Sequence, residues 1–127
     1  MTGHGHQSTQ AVKLLATPVL NTLSNSYKAL RRRAVVAAKS ATHIGELGGM
    51  IPDVFATDTR NKATVKTKAQ DGVWTNQADF KAKADDLVKA ATALQEAAKG
   101  GDKDATLKAA GAVGKACGAC HDNFRNK

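Results

Sequence analysis

Apolar side chains recur along this chain at intervals of three and four, and no stretch alternates apolar with polar as a strand does. The first such stripe is Val12, Leu15, Val19 and Leu23, with Ser8 or Thr9 placed to cap its start. Pro18 interrupts it. A proline inside a helix costs about 3 kcal/mol, which predicts either a kink near Leu14 or a restart, with Thr17 as cap and Pro18 in the first helical position. The weak helix formers Asn21, Ser24, Asn25 and Ser26 then predict a turn near Asn25. A second helix is expected from Tyr27 to Leu47, with Leu30, Ala34, Ala37, Ala41 and Ile44 on its apolar side, ended by Gly48-Gly49 and kept from resuming by Pro52.

Residues 51 to 75 read as a long basic connection carrying Arg60, Lys62, Lys66 and Lys68, held down by Phe55 and Trp74. Thr75 or Asn76 caps the clearest helix, in which Phe80, Ala84, Leu87, Ala91, Leu94 and Ala98 form the seam. Gly100-Gly101 stops it. Asp102 caps a last helix, Asp104 suits its N-terminal dipole, and Leu107, Ala110, Gly114, Cys117, His121 and Phe124 carry the seven-residue pattern to the end. The tight turn between these two helices makes them antiparallel neighbours. Four amphipathic helices without strands predict an all-α fold, an antiparallel up-and-down four-helix bundle. Residues 1 to 8 are expected as a loose polar tail and residues 9 to 127 as one domain.

The closing motif is Cys117-Gly118-Ala119-Cys120-His121. On a helix, residues three and four apart share a side, so both thiols and the imidazole project together. Two thiols at that spacing reach the two vinyl groups on one edge of a porphyrin, and the histidine then ligates the iron. The motif therefore predicts one covalent haem c, attached through Cys117 and Cys120, with His121 as axial ligand. A redox dithiol ordinarily follows a strand at a helix start, and none precedes this motif. A structural zinc site needs four ligands, and His4, His6 and His43 lack a second cysteine pair. A disulfide within a helical Cys-x-x-Cys would be strained.

Two features agree with a haem. Only five residues are aromatic (one Trp, one Tyr, three Phe), so side chains alone make a thin core that a large flat cofactor would enlarge. Gly111, Gly114 and Gly118 interrupt the last helix at up to about 1 kcal/mol each, as close approach of a bulky group requires; tight helix packing is the competing explanation.

Net charge is +8, which suits an acidic protein partner, an anionic membrane surface, or simply solubility. No nucleic-acid motif appears, and the basic residues are dispersed. No run of eighteen apolar residues offers a membrane span. Haem attachment to this motif takes place outside the bacterial inner membrane, so a periplasmic location is expected, with an export signal absent from this sequence.

The order of features in the C-terminal half resembles the cytochrome c′ family. Val73-Trp74-Thr75 precedes Gln77-Ala78-Asp79-Phe80 and a long alanine-rich helix. Gly100-Gly101-Asp102 and Ala112-Val113-Gly114-Lys115 then lead to the haem motif and Asp122-Asn123-Phe124-Arg125. Most single-haem c-type cytochromes carry the motif near the N-terminus, so its place here discriminates. The resemblance runs from Val73 to Arg125 and is weak over residues 1 to 72. It implies a left-handed four-helix bundle, a homodimer packed through first helices, and a five-coordinate, high-spin haem. It implies further that Phe124 and Arg125 match the aromatic and arginine positions after the proximal histidine. Ala11-Val12-Lys13 is similar to the family's first-helix start; on that register Val19 covers the distal face. Leu15 then stands where the family has an arginine to a haem propionate, a departure that removes that contact.

Binding of nitric oxide and carbon monoxide at an open iron is the leading expectation, without enzymatic activity, since Val19 offers no distal acid or base. The rival is a low-spin, six-coordinate electron carrier with Met50 or His43 as sixth ligand, docking an acidic redox partner. Met50 is otherwise expected in the core, and His43 at the surface.

Overall fold

Two helices of almost equal length, α3 (Gln77–Gly100) and α4 (Lys103–Phe124), are joined by two residues. Gly101 takes a left-handed conformation (φ 77°), which a glycine adopts without steric cost, and its N–H donates to the Ala98 carbonyl at 3.2 Å. Asp102 caps α4 by accepting from the N–H groups of Asp104 (2.9 Å) and Ala105 (3.3 Å). Leu94 packs with Val113 near this turn, and Phe80 with Phe124 at the far end, which makes the helices antiparallel. The α3 seam is the one its spacing predicts: Phe80, Ala84, Ala91, Leu94 and Ala98 are buried, and Leu87 packs against the core they help form.

The structure, a computed structural model, describes residues 3–62 and 66–127, with side chains from residue 21 onward except at positions 23, 26, 27, 30 and 31. Its contacts divide the chain into two units, Met1–Arg33 and Ala34–Lys127. In the first unit the described backbone is helical from Gly3, so the helix takes in the segment read as a tail. The second unit holds the C-terminal part of α1 (Gly3–Val54), the one-turn α2 (Gly72–Thr75), α3 and α4. No strand occurs among the described residues beyond an isolated antiparallel bridge between Ala69 and Arg125. The fold class is the all-α one expected.

Two boundaries differ from expectation. The turn anticipated near Asn25 is absent, because α1 is helical through residues 21 to 30. Asparagine and serine cost only a few tenths of a kcal/mol each in a helix, and no glycine or proline lies between Pro18 and Gly45 to end it. Gly48-Gly49 does not stop the helix either; α1 continues to Val54. There a tertiary contact outweighs propensity. Gly48 is buried against α3, where a Cβ would stand 3.2 Å from Val88 Cγ2 and 3.4 Å from Leu87 Cδ2, so the glycine sets how closely the helices approach.

In the second unit α1 buries Ala41, with Ile44 beside it, against Leu94 and Val113. These belong to the predicted stripe. Val36, Leu47, Met50 and Val54 are more than half exposed, and His43 is exposed on the same side. Met50 is therefore not a core residue: it lies nine residues from Ala41, on the opposite side of the helix.

Candidate functional site

The last turns of α4 carry Cys117, Cys120 and His121. Cys117 packs against the cluster of Ala41, Leu94 and Val113, and Cys120 against the cluster of Val73, Phe80 and Phe124. The two thiols, one turn apart, thus sit on the two halves of the core. Both are half-buried. His121 is exposed on the adjoining side of the helix. Burial pushes the Cys120 thiol above its ordinary value of 9.0, opposed by the charge of Lys83, with Cys117 and Asp79 adding to the rise. Among the described residues no three His, Cys, Asp or Glu side chains are placed to hold a metal ion.

The side of α4 next to His121 fits a flat bulky group. Gly111, Gly114, Gly118 and His121 follow one another at intervals of three and four and so line one side of the helix. A Cβ at any of the three glycines would meet nothing within 4 Å among the described residues. The backbone there forms an open, flush face beside a histidine, with two cysteine thiols on its border. Competing helix–helix contact at these glycines is absent from the described structure.

The buried edge of α4 is turned from the predicted one. Val113 and Phe124 are buried, with Ala109, Cys117 and Cys120 packed at the same edge, whereas Leu107 is 60% exposed and Ala110, Gly114 and His121 are exposed. A seven-residue pattern allows either edge, and the larger Val113 wins over Ala110 and Gly114 as the group worth burying against α3 and α1.

The helix end is held by the segment before α2. Gln70 N–H donates to the Phe124 carbonyl (2.9 Å), Asn126 N–H to the Lys68 carbonyl (2.7 Å), and Gln70 Nε2 to the Arg125 carbonyl (2.9 Å). Arg125 N–H closes the helix on the His121 carbonyl at 3.0 Å. Phe124 is buried against Phe80 and lies close to Gly72, where a Cβ would make an ordinary 3.5 Å contact with the Phe124 ring. The Arg125 side chain is exposed.

The expected anchors of the connection are both used. Phe55 stacks edge-on against Phe80 (centroids 5.5 Å apart) and tilted against Trp74 (6.5 Å). Trp74 Nε1 donates to the Thr57 carbonyl at 3.0 Å, and the Arg60 guanidinium lies over its ring at 5.8 Å. Arg60 also makes a two-pronged pair with Asp58, whose carboxyl it lowers to about 2. The sequence did not reveal that Lys68, Ala69 and Gln70 pair with the chain end; nothing in their side chains marks a backbone partner 55 residues away. Val73 is the most deeply buried large side chain, and its only signal was its place beside Trp74.

Of the remaining expected site residues, Val19 and Leu15 have side chains outside the described residues, as do His4 and His6. Met50 and His43 stand on the exposed side of α1, away from the side that Ala41 and Ile44 turn to α4.

Comparison with known proteins gives one consistent result. The family model described as Cytochrome C' matches residues 12–125. The cytochrome c′ of Pararhodospirillum photometricum is 39% identical over 89 residues, which are 70% of this chain and 70% of that one. That of Rubrivivax gelatinosus is 43% identical over 61 residues, 48% of this chain and 47% of its own length. Among solved structures, cytochrome c′ from Rhodopseudomonas palustris superposes with a TM-score of 0.64 at 24% identity, covering 90% of this chain and 94% of that one. A ferrous arginine-to-alanine variant of cytochrome c prime from Alcaligenes xylosoxidans, with nitric oxide bound, does so with a TM-score of 0.59 at 21% identity over 100% of both. These likenesses place the fold in the four-helix-bundle class.

Proposed function

Since the chain belongs to the cytochrome c′ family, whose cofactor is one covalent haem c, we propose that Cys117 and Cys120 bind that haem and His121 ligates its iron. The observation that carries this reading is the placing of both thiols at the border of the glycine face that His121 shares. When bound, the haem supplies an iron centre that takes up a diatomic gas or a single electron. The chain's own residues do the rest. Cys117 and Cys120, each set in one half of the core, would hold the group at two points through their sulfurs. Phe124, locked against Phe80, keeps the turn that bears His121 from shifting. Arg125, next to that turn and exposed, adds positive charge on the proximal side.

We read the function as binding of nitric oxide and carbon monoxide at a five-coordinate, high-spin haem in the periplasm. The nitric oxide complex of the Alcaligenes relative supports gas binding. On the family register Val19 covers the distal face, while Leu15 takes the place of the arginine that contacts a propionate; Val19 has no hydrogen-bond donor for the partial negative charge of bound dioxygen, which favours nitric oxide and carbon monoxide. The exposed setting of Met50 and His43 supports an open sixth position. Association into a homodimer is part of the same reading.

Optical and EPR spectra of the ferric holoprotein test it. High-spin signals, with carbon monoxide and nitric oxide binding after reduction, are expected. A purely low-spin spectrum at neutral pH overturns the gas-binding reading in favour of the six-coordinate electron carrier.

A further inference from the structure

The backbone pairing at the end of α4 gathers cations that lie far apart in sequence. Lys66 and Lys68 are exposed on the segment whose next residue, Ala69, bridges Arg125. Asn126 is bonded to the Lys68 carbonyl, so Arg125 and Lys127, both exposed, flank the same segment. No acidic residue occurs from Asn61 to Ala69. Arg60, at the start of the connection, is a different case: Asp58 and Asp71 hold it, the latter at 3.8 Å, and these acids are turned to that guanidinium. Asp122 is the one exposed carboxylate beside His121 on α4. The patch is fastened directly to the haem motif, because the Arg125 N–H donates to the His121 carbonyl.

We propose that Lys66, Lys68, Arg125 and Lys127 form the docking surface for an acidic electron-transfer protein, which delivers or removes electrons at this end of α4. The proposal rests on the haem reading above. In the step, a one-electron donor such as a reduced flavoprotein loses one electron and the ferric iron gains it; no proton or group is transferred. Three observations support the partner's chemistry. None of the four side chains is in an ion pair among the described residues, Lys68 and Arg125 stand on backbone joined by main-chain bonds, and the patch adjoins His121. A surface of this sign raises the encounter rate with an acidic partner by tenfold or more at low salt.

The test uses the holoprotein and flavodoxin hydroquinone, an acidic one-electron donor, in stopped flow. Lys66→Glu/Lys68→Glu reverses charge on the segment while leaving its main-chain bonds available. The reduction rate is expected to fall about tenfold at 10 mM salt and to converge with the parent at 500 mM. Reduction by a neutral small hydroquinone is expected to be unchanged. Lys99→Glu/Lys103→Glu, at the other end of α4 some 30 Å away by helix rise, makes the same change in net charge and is expected to have little effect. Equal slowing in both variants means that net charge acts rather than this patch, and overturns the proposal. So does an unchanged flavodoxin rate, with or without loss of binding to phosphatidylglycerol vesicles. Carbon monoxide binding and the ferric spectrum of each variant report separately on the haem reading.

Discussion

Phe80 and Phe124 meet edge to face, with ring centroids 5.2 Å apart and planes at 71°. The contact joins the start of α3 to the end of α4, one turn beyond Cys120. Both rings are buried, and Cys120 packs in the same cluster. Truncation of either ring leaves a hole under the cysteine that completes the haem motif.

Phe80→Ala is accordingly expected to destabilise the holoprotein by about 3–5 kcal/mol. Urea unfolding, followed by circular dichroism, measures it. A loss below 1 kcal/mol would show that the aromatic cluster does not anchor the helix end.

Covalent attachment gives a second expectation. Cys117→Ser and Cys120→Ser each keep one thioether, so haem stays on the polypeptide after acid–acetone extraction in either single variant, with an altered pyridine haemochrome spectrum. The double variant is expected to lose all haem to the acetone layer. Retention of haem in the double variant would contradict attachment at these cysteines.

The helix positions were largely legible in the sequence. Phe80, Ala84, Ala91, Leu94 and Ala98 repeat at a spacing that only one helix face satisfies, and the Gly101 and Asp102 stop and cap follow from local chemistry. That Cys117, Cys120 and His121 stand together on the last helix was legible for the same reason. Where sequence reasoning departed from the structure, tertiary contact decides. Gly48 reads as a helix stop but is used for close packing on Leu87 and Val88. Asn25 reads as a turn, yet nothing near it forbids a helix. Leu107 reads as core, yet Val113 holds the buried edge of α4. The pairing of Lys68 and Gln70 with the chain end uses main-chain atoms on both sides, with one added bond from Gln70 Nε2 to a main-chain carbonyl, and main-chain partners leave no signature in the sequence.

The α1 glycines separate propensity from packing. A Cβ at Gly45 would sit 3.7 Å from Ala91 Cβ, an ordinary contact, and one at Gly49 would meet nothing among the described residues. Gly45→Ala and Gly49→Ala are expected to stabilise by about 0.5–1 kcal/mol through helix propensity. At Gly48 the 3.2 Å approach to Val88 opposes that gain. Gly48→Val is expected to cost about 1–3 kcal/mol by overpacking. Thermal unfolding of the four proteins ranks them, and a stabilised Gly48→Val would show that α1 and α3 do not meet there.

Asp58 supplies a pH test. Its carboxyl is held at about 2, below the ordinary 3.8, chiefly by the hydrogen bonds of the Arg60 guanidinium, then by the Arg60 backbone N–H. A carboxyl whose folded value is depressed contributes stability that is present above pH 4 and is lost as pH falls through about 2. The side chain is exposed, so solvent screening keeps the contribution small. The direct measurement is the carboxyl carbon shift of Asp58 during acid titration by NMR. Arg60→Ala is expected to return its midpoint toward 3.8 and to free the Trp74 ring, with a change in fluorescence. An unmoved midpoint would mean that the pair does not form in solution.

The strap of residues 68–70 across residues 124–126 bears on how this helix end comes apart. Helix ends ordinarily fray, and an axial ligand in the final turn would fray with them. Here the main chain just past that turn, at Phe124, Arg125 and Asn126, is bonded to Lys68 and Gln70. Unravelling of this helix end therefore also requires release of residues 68–70, which lie more than fifty positions back along the chain.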